Sequence, residues 1–282
     1  MNWFFLTLLS VLFASLASIL QRVLMKDERS DPYSYAIAFH FLLGFLNLGF
    51  ALVSGSQFSL LSGNFFLLLL ASALWGGCSI FLFKALQLIE ASEKTILSSL
   101  NVVFTIIASV IFLHETFNGQ KVFGTVIILA SILLVVTLKN GFKFNRGVVY
   151  VLITAVFAGL AIVADSANVQ HYNVITYNTF QNFLTGFIIL AFAPKSLQQW
   201  RCFVEPSFLT KMLPLGIFST AQGILYLTAL TYGGNTAQVG TIRQASTIVT
   251  VLLAVIFLRE RNNLWRKLLA AVLVTFGVFL LH

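Results

Sequence analysis

Apolar residues in this chain come in long unbroken runs, and polar residues fall between the runs rather than alternating within them. Read against those breaks, the pattern predicts ten apolar helices over residues 2–24, 33–53, 65–88, 94–113, 121–138, 147–169, 174–193, 208–231, 235–258 and 264–281. Each is close to the roughly 20 residues that a helix needs to cross the hydrocarbon core of a bilayer. Strands of a membrane barrel would instead show about ten residues of in-and-out alternation. The breaks carry turn formers and charges, among them Pro32, Gly55, Gly63, Pro194, Pro206 and the Gly233–Gly234 pair.

Composition agrees with the pattern. The chain is 59% hydrophobic and 9% charged, with a mean hydropathy of +0.93. Soluble domains carry about a quarter of their residues as charges. The expected fold class is an all-α integral membrane protein with ten transmembrane helices and no soluble domain. Met1 to Leu24 has no basic segment ahead of it and is too long for a leader, so it reads as the first span. Cys78 lies within an apolar run and Cys202 in a polar loop, which indicates neither a disulfide framework nor a metal site. No cofactor is expected.

A net charge of +8 would suggest nucleic acid in a soluble protein, but its distribution here points to membrane orientation. Fifteen of the 17 Lys and Arg residues fall in or beside the breaks that follow odd-numbered spans; Lys121 alone lies on the opposite side, and Arg243 lies inside a span. Positive charge is retained in the cytoplasm. Both termini are therefore expected on the non-cytoplasmic side, in a bacterial inner membrane. Arg22, Lys84, Glu90, Glu93 and Lys94 sit at cytoplasmic ends of spans and read as boundary residues whose long side chains snorkel to water.

The chain also repeats itself. Val110, Ile111, Phe112, Leu113, Glu115 and Asn118 recur 145 residues later as Val255, Ile256, Phe257, Leu258, Glu260 and Asn263. At an offset of 144, Phe13, Ala14, Leu16 and Ala17 recur as Phe157, Ala158, Leu160 and Ala161, and Ala85–Leu86 recurs as Ala229–Leu230. Phe41, Leu42, Gly44 and Phe45 recur as Phe183, Leu184, Gly186 and Phe187 at an offset of 142. Four collinear matches divide the chain into two halves, residues 1–143 and 144–282, of five spans each. Five is odd, so the second half enters the membrane upside down relative to the first. Inverted repeats are a transporter architecture, with the solute site between the halves near the midplane.

Each half thus carries an Ala-Leu pair late in its third span, a fourth span with small and polar residues, a Phe-Leu-x-Glu ending and a fifth span bearing Gly or Ala. Over nearly its whole length the chain resembles the EamA type of the drug/metabolite transporter superfamily. That resemblance implies ten spans in two inverted halves and a small-molecule solute of open identity: amino acids, sugars, nucleotide sugars, purines and drugs all occur among similar proteins. Many relatives have both termini in the cytoplasm, whereas the charge distribution here places them outside. Glu115 and Glu260 match the short connection between fourth and fifth spans and read as structural.

Two charges stand inside spans. Asp165 is the one acidic residue clearly within a run, and Arg243 the one basic residue well inside. A charge at mid-bilayer costs about 2.5–3.5 kcal/mol even on the mild insertion scale, so such groups face the bundle interior. Helical spacing gives each an inward stripe: Thr154, Ala158, Ala161, Asp165 and Asn168 on the sixth span, and Gly240, Arg243, Thr247 and Thr250 on the ninth. At about 1.5 Å per residue, the depths of Asp165 and Arg243 differ by only about 5 Å, close enough to pair. Asn178, Gln181, Asn182 and Thr185 form a third stripe on the seventh span, and Gln244 adjoins Arg243. The repeat relates Gln21 to Asp165, His40 to Asn182, Asn101 to Ser246 and Ser98 to Arg243. Gln21, His40 and Asn101 then form a matching vestibule on the cytoplasmic side. Each of these polar groups has a plainer reading as interhelical glue.

There is no P-loop, no His and carboxylate cluster on one helix, no nucleophile elbow and no catalytic triad, so an enzyme is not indicated. The leading expectation is a secondary transporter of a small polar metabolite, an amino acid or an organic anion, working by alternating access between the halves. Arg243 would meet a carboxylate or phosphate, and Asp165 would hold the arginine or an amino group. The alternative is a proton-coupled exporter of cationic drugs, with Asp165 or His40 exchanging the proton. A non-transporting membrane scaffold ranks lower. The expected partners are a small-molecule solute, protons as a coupling ion in the exporter reading, and the lipid bilayer; nucleic acid is not expected, and the chain reads as a monomer or homodimer.

Overall fold

The structure is a computed structural model that describes residues 3–25, 31–56, 63–112, 119–136, 145–168, 171–196, 206–231, 236–260 and 263–281. Among these, regular structure is helical throughout: α1 (Trp3–Met25), α2 (Pro32–Val53), α3 (Phe65–Leu88), α4 (Ala91–Ser98), α5 (Leu100–Phe112), α6 (Gly119–Val136), α7 (Arg146–Asn168), α8 (Val174–Phe192), α9 (Pro206–Thr231), α10 (Thr236–Phe257) and α11 (Leu264–Leu281). α4 and α5 together make one span, so the eleven helices correspond to the ten expected spans. Five stretches among the described residues are long and apolar enough to cross a membrane by length and composition alone: α1, α2, α3, Ala91–Phe112 and Arg146–Asp165.

Local chemistry sets the helix starts. Asp31 precedes Pro32 and accepts from Ser34 N at 2.9 Å, giving α2 both a cap and a proline in its first turn. Asn64 caps α3 by accepting from Phe66 N and Leu67 N, and Asn173 does the same for α8 through Ile175 N and Thr176 N. α4 has no such cap of its own. Glu260, which follows α10, supplies it from across the bundle, accepting from Ala91 N at 3.0 Å, Ser92 N at 3.1 Å and Ser92 Oγ at 2.7 Å. The second Phe-Leu-x-Glu ending is therefore a capping device. The first, around Leu113 and Glu115, lies outside the described residues.

The fourth span is where structure and sequence pattern part. It begins at Ala91 rather than residue 94, and it is interrupted at Ser99. There the bonds tighten to i→i+3, with Ser99 N donating to Ile96 O at 3.2 Å and Val102 N to Ser99 O at 3.1 Å. Its repeat counterpart, α10, is continuous. Apolar periodicity carries through a single 3₁₀ turn unchanged, so nothing in the run of residues marks it.

The packing obeys a two-fold relation between the halves. α1 packs on α9 as α3 packs on α7, and α1 on α10 as α5 on α7; α2 meets α8, and α6 meets α11. Exchanging the halves turns each of these pairings into another of the set or into itself. Where α2 and α8 meet, equivalent residues touch reciprocally. A Cβ on Gly44 would lie 3.0 Å from the Phe183 ring, and one on Gly186 would lie 3.2 Å from the Phe41 ring. Without a hydrophobic drive between helices in lipid, such close approach at small residues supplies the packing energy. Gly159 is the tightest case against backbone: a Cβ there would sit 2.9 Å from Thr105 N and 3.0 Å from Asn101 O. Aromatic side chains such as Phe5, Phe45, Phe66 and Phe187 are exposed on the outside of the bundle, where lipid would cover them.

Candidate functional site

Side chains from α1 to α5 and α8 to α10 line a cavity of about 470 Å³ at the meeting point of the halves; among the described residues α6, α7 and α11 contribute none of its lining. The volume suits a small metabolite. Of the residues singled out in the sequence, Gln21, His40, Asn101, Gln181, Asn182 and Arg243 line this cavity. Asn178 lies one turn before Asn182 on α8, and its carbonyl accepts from Asn182 Nδ2 at 2.8 Å. Gln244 is on α10, but its side chain lies outside the described residues.

Asp165 is not among the lining side chains. It sits behind two that are, near the C-terminus of α7. Trp75 Nε1 donates to its Oδ2 at 2.8 Å, and Tyr177 Oη and Gln181 Nε2 donate to its Oδ1 at 2.8 and 2.5 Å. Three neutral donors from α3 and α8 thus converge on one carboxylate. Just beyond it, Asn64 N donates to Asn168 Oδ1 and Asn168 Nδ2 to Asn64 O, each at 2.9 Å, tying α7 to the start of α3. Together these contacts tie α7 to α3 and α8 at this end of the bundle.

Arg243 is held differently. Its Nη2 donates to Gln222 Oε1 at 3.2 Å, and its guanidinium carbon lies 4.0 Å from the centroid of the Tyr226 ring. A guanidinium on an aromatic face gains electrostatic attraction while keeping most of its donors in plane and open. Depth alone permits an ion pair between Asp165 and Arg243, yet none links them among the described residues, where Glu90 with Lys267 is the pair found. Each charge has instead been met by neutral polar and aromatic groups of its own neighbourhood.

His40 and Asn182, equivalent positions of the repeat, touch each other. His40 Nδ1 lies 3.0 Å from Asn182 Oδ1, and Nε2 lies 2.7 Å from Ser79 Oγ. The bond from Asn182 Nδ2 to the Asn178 carbonyl fixes which way the amide points. Nδ1 must then carry the proton, and in the neutral ring Nε2 accepts from Ser79. This puts the imidazole, 6% exposed, in a fully bonded bridge from α2 to both α3 and α8.

Several lining residues escaped the sequence reading: Trp75, Ser79, Lys94, Gln222 and Ser246. Two had a legible signal. Trp75 places an indole N–H in the middle of an apolar run, where it needs an acceptor, and Gln222 is a lone amide in α9. Lys94 is the departure from the snorkelling reading, because the span starts earlier than expected and brings its side chain to the cavity wall. Arg22 and Lys84 are likewise held rather than snorkelling. Arg22 donates to the Leu86 carbonyl, and Lys84 Nζ bonds Tyr33 Oη at 2.7 Å.

The comparisons with known proteins fall on the same plan. A profile of the EamA-like transporter family matches residues 1–137 and, a second time, residues 145–282. The chain belongs to the EamA-like transporter family. Membership makes it a multi-pass membrane transporter of the drug/metabolite superfamily, acting on a small-molecule solute in a lipid bilayer, in a family of transporters rather than enzymes. No curated protein sequence matches the chain. A solved crystal structure of a protein aligns over 98% of this EamA-like chain and 93% of its own length, with a TM-score of 0.66 and 16% identity. At that identity the likeness speaks for the fold alone.

Proposed function

We propose that this EamA-like protein is a secondary transporter that binds an anionic metabolite in the central cavity and exposes it to either side by rocking one five-span half, residues 1–143, against the other, residues 144–282. The observation that carries this reading is Arg243, a cation on the cavity wall that the described residues meet with neutral groups, the Gln222 amide and the Tyr226 side chain. A carboxylate or phosphate on the solute would complete it with charge-assisted, bidentate bonds. Gln181, Asn182, Asn101 and Gln21 would supply neutral polar contacts to the rest of the solute, with His40 holding the Asn182 amide in place. Asp165 would act through Trp75 and Gln181, fixing both side chains at the wall. Among the described residues the lining contains no carboxylate, which favours an anion over the cationic-drug reading. The excess of Lys and Arg beside the α3–α4 junction and its neighbours supports a cytoplasmic location for that end, with both termini outside.

The test is uptake into proteoliposomes. Arg243→Ala should abolish transport while the purified protein keeps its helical content and a monodisperse elution profile. Unchanged uptake would remove Arg243 from the site.

A further inference from the structure

Lys94 and Arg243 line one cavity, and among the described residues no Asp or Glu lines it with them. The carboxylates around the start of α4 are engaged or turned away. Glu90 pairs with Lys267, and Glu260 caps α4 at Ala91 and Ser92. Glu93 is not a lining residue; one position earlier on the helix, it points about 100° away from Lys94 around the axis. Among the described residues no hydrogen bond or ion pair holds the Lys94 ammonium. Its neighbours on the wall are Thr95, Ser18 and Cys78, all uncharged in their ordinary states at neutral pH.

The two cations address opposite ends of the space. α10 finishes where α4 begins, since Glu260 reaches back to cap α4. Lys94 is the fourth residue of α4 and Arg243 the eighth of α10, so their backbones enter from opposite sides, about 15 Å apart in depth at 1.5 Å per residue. Long side chains bring both charges toward one cavity of about 470 Å³. An unpaired charge in such a site is costly, and a solute charge that answers it is favoured correspondingly. A zwitterion would satisfy one cation and set its ammonium against the other. A monoanion would leave one cation unanswered.

We propose that the cavity takes an elongated organic dianion, with one anionic group on Arg243 and the second on Lys94. This rests on the reading of the cavity as the solute site and adds to it the charge and shape of the solute. Carboxylate and phosphate share the required chemistry, so both are tested. Phosphate carries more charge and more acceptors, and suits Arg243 in a bidentate mode.

The test is ligand stabilisation of the purified full-length protein. The probes are succinate, 2-oxoglutarate and 3-phosphoglycerate as dianions or more highly charged species, lactate as a monoanion, alanine as a zwitterion and choline as a cation. At least one of the first three should bind tenfold or more tightly than lactate, alanine and choline. Lys94→Gln should bring that ligand down to the affinity of lactate; Lys94→Arg should keep the preference. If lactate, alanine or choline binds as tightly, if none of the three dianions binds, or if Lys94→Gln leaves the preference intact, the proposal is overturned. Should Lys94→Gln fail to fold, Lys94→Arg decides: loss of the preference in a folded Lys94→Arg protein also overturns it. The transport reading fails separately. A dianion that binds but is never carried into proteoliposomes would leave this inference standing and remove that one, whereas Arg243-dependent uptake of alanine would do the reverse.

Discussion

Asp165 and Arg243 look alike in sequence and differ in structure. Each is a lone charge on the polar stripe of an otherwise apolar span, and both lie near the same end of the bundle. Asp165 accepts from Trp75, Tyr177 and Gln181 and stays out of the cavity lining, whereas Arg243 lines the cavity with the Gln222 amide and the Tyr226 side chain as its neutral partners. The difference is one of unspent bonding capacity. A buried charge whose neighbours already saturate it holds the fold in place. One that keeps donors free toward a cavity is the group a solute would use.

The most damaging way to test the structural side of this contrast is to remove the carboxylate. Asp165→Ala leaves Trp75, Tyr177 and Gln181 without their acceptor; Tyr177 and Gln181 are buried, and at about 1–3 kcal/mol per unsatisfied buried group the loss of stability should reach at least about 2 kcal/mol. Thermal unfolding of the purified protein would register it. A shift within error of the parent protein would mean that Trp75, Tyr177 and Gln181 do not depend on Asp165. Next in size, Glu260→Ala should cost about 1–2 kcal/mol by uncapping α4, read by the same unfolding measurement. The loss should also free Lys94 to wander, so solute affinity should fall with stability; a stability loss with affinity unchanged would separate the cap from the site. Smallest, Ser79→Ala removes one partner of His40 and should cost about 1 kcal/mol. His40 keeps its bond to Asn182, and solute affinity should change by less than about threefold, roughly 0.65 kcal/mol; a tenfold change would move the His40 bridge from scaffold to site.

Much of the fold was legible because lipid imposes simple rules. Continuous apolar runs gave the spans to within three residues at the ends compared here, as with 264–281 against Leu264–Leu281 and 235–258 against Thr236–Phe257. The offset of 142 that relates Phe41 to Phe183 and Gly44 to Gly186 proved to join residues that pack reciprocally. What stayed hidden depends on neighbours that one helix cannot report. Helical periodicity shows which face of α7 turns inward but not that Trp75 and Gln181 intervene between Asp165 and the cavity. Lys94 read as a boundary residue because the pattern starts the fourth span at the first apolar residue after the charges; the cap from Glu260, contributed from 168 residues away, starts the helix three residues earlier. The interruption at Ser99 changes no residue's polarity, so no pattern could carry it. The nearby Ser98 hydroxyl is buried with no partner among the described residues, and it occupies the position that the repeat assigns to Arg243. The second half spends that position on a charge and the first does not.

The proposed division of labour has Arg243 bind the solute while Asp165 supports the wall behind it. It is tested most directly by measuring solute affinity and fold stability side by side in Arg243→Gln and Asp165→Asn. Arg243→Gln should weaken binding by about 2–4 kcal/mol, roughly 30- to 1,000-fold, with unfolding little changed. Asp165→Asn should lower the unfolding temperature and leave affinity within about threefold, roughly 0.65 kcal/mol. The reverse pattern, with Asp165→Asn abolishing binding in a stable protein and Arg243→Gln binding normally, would contradict the account.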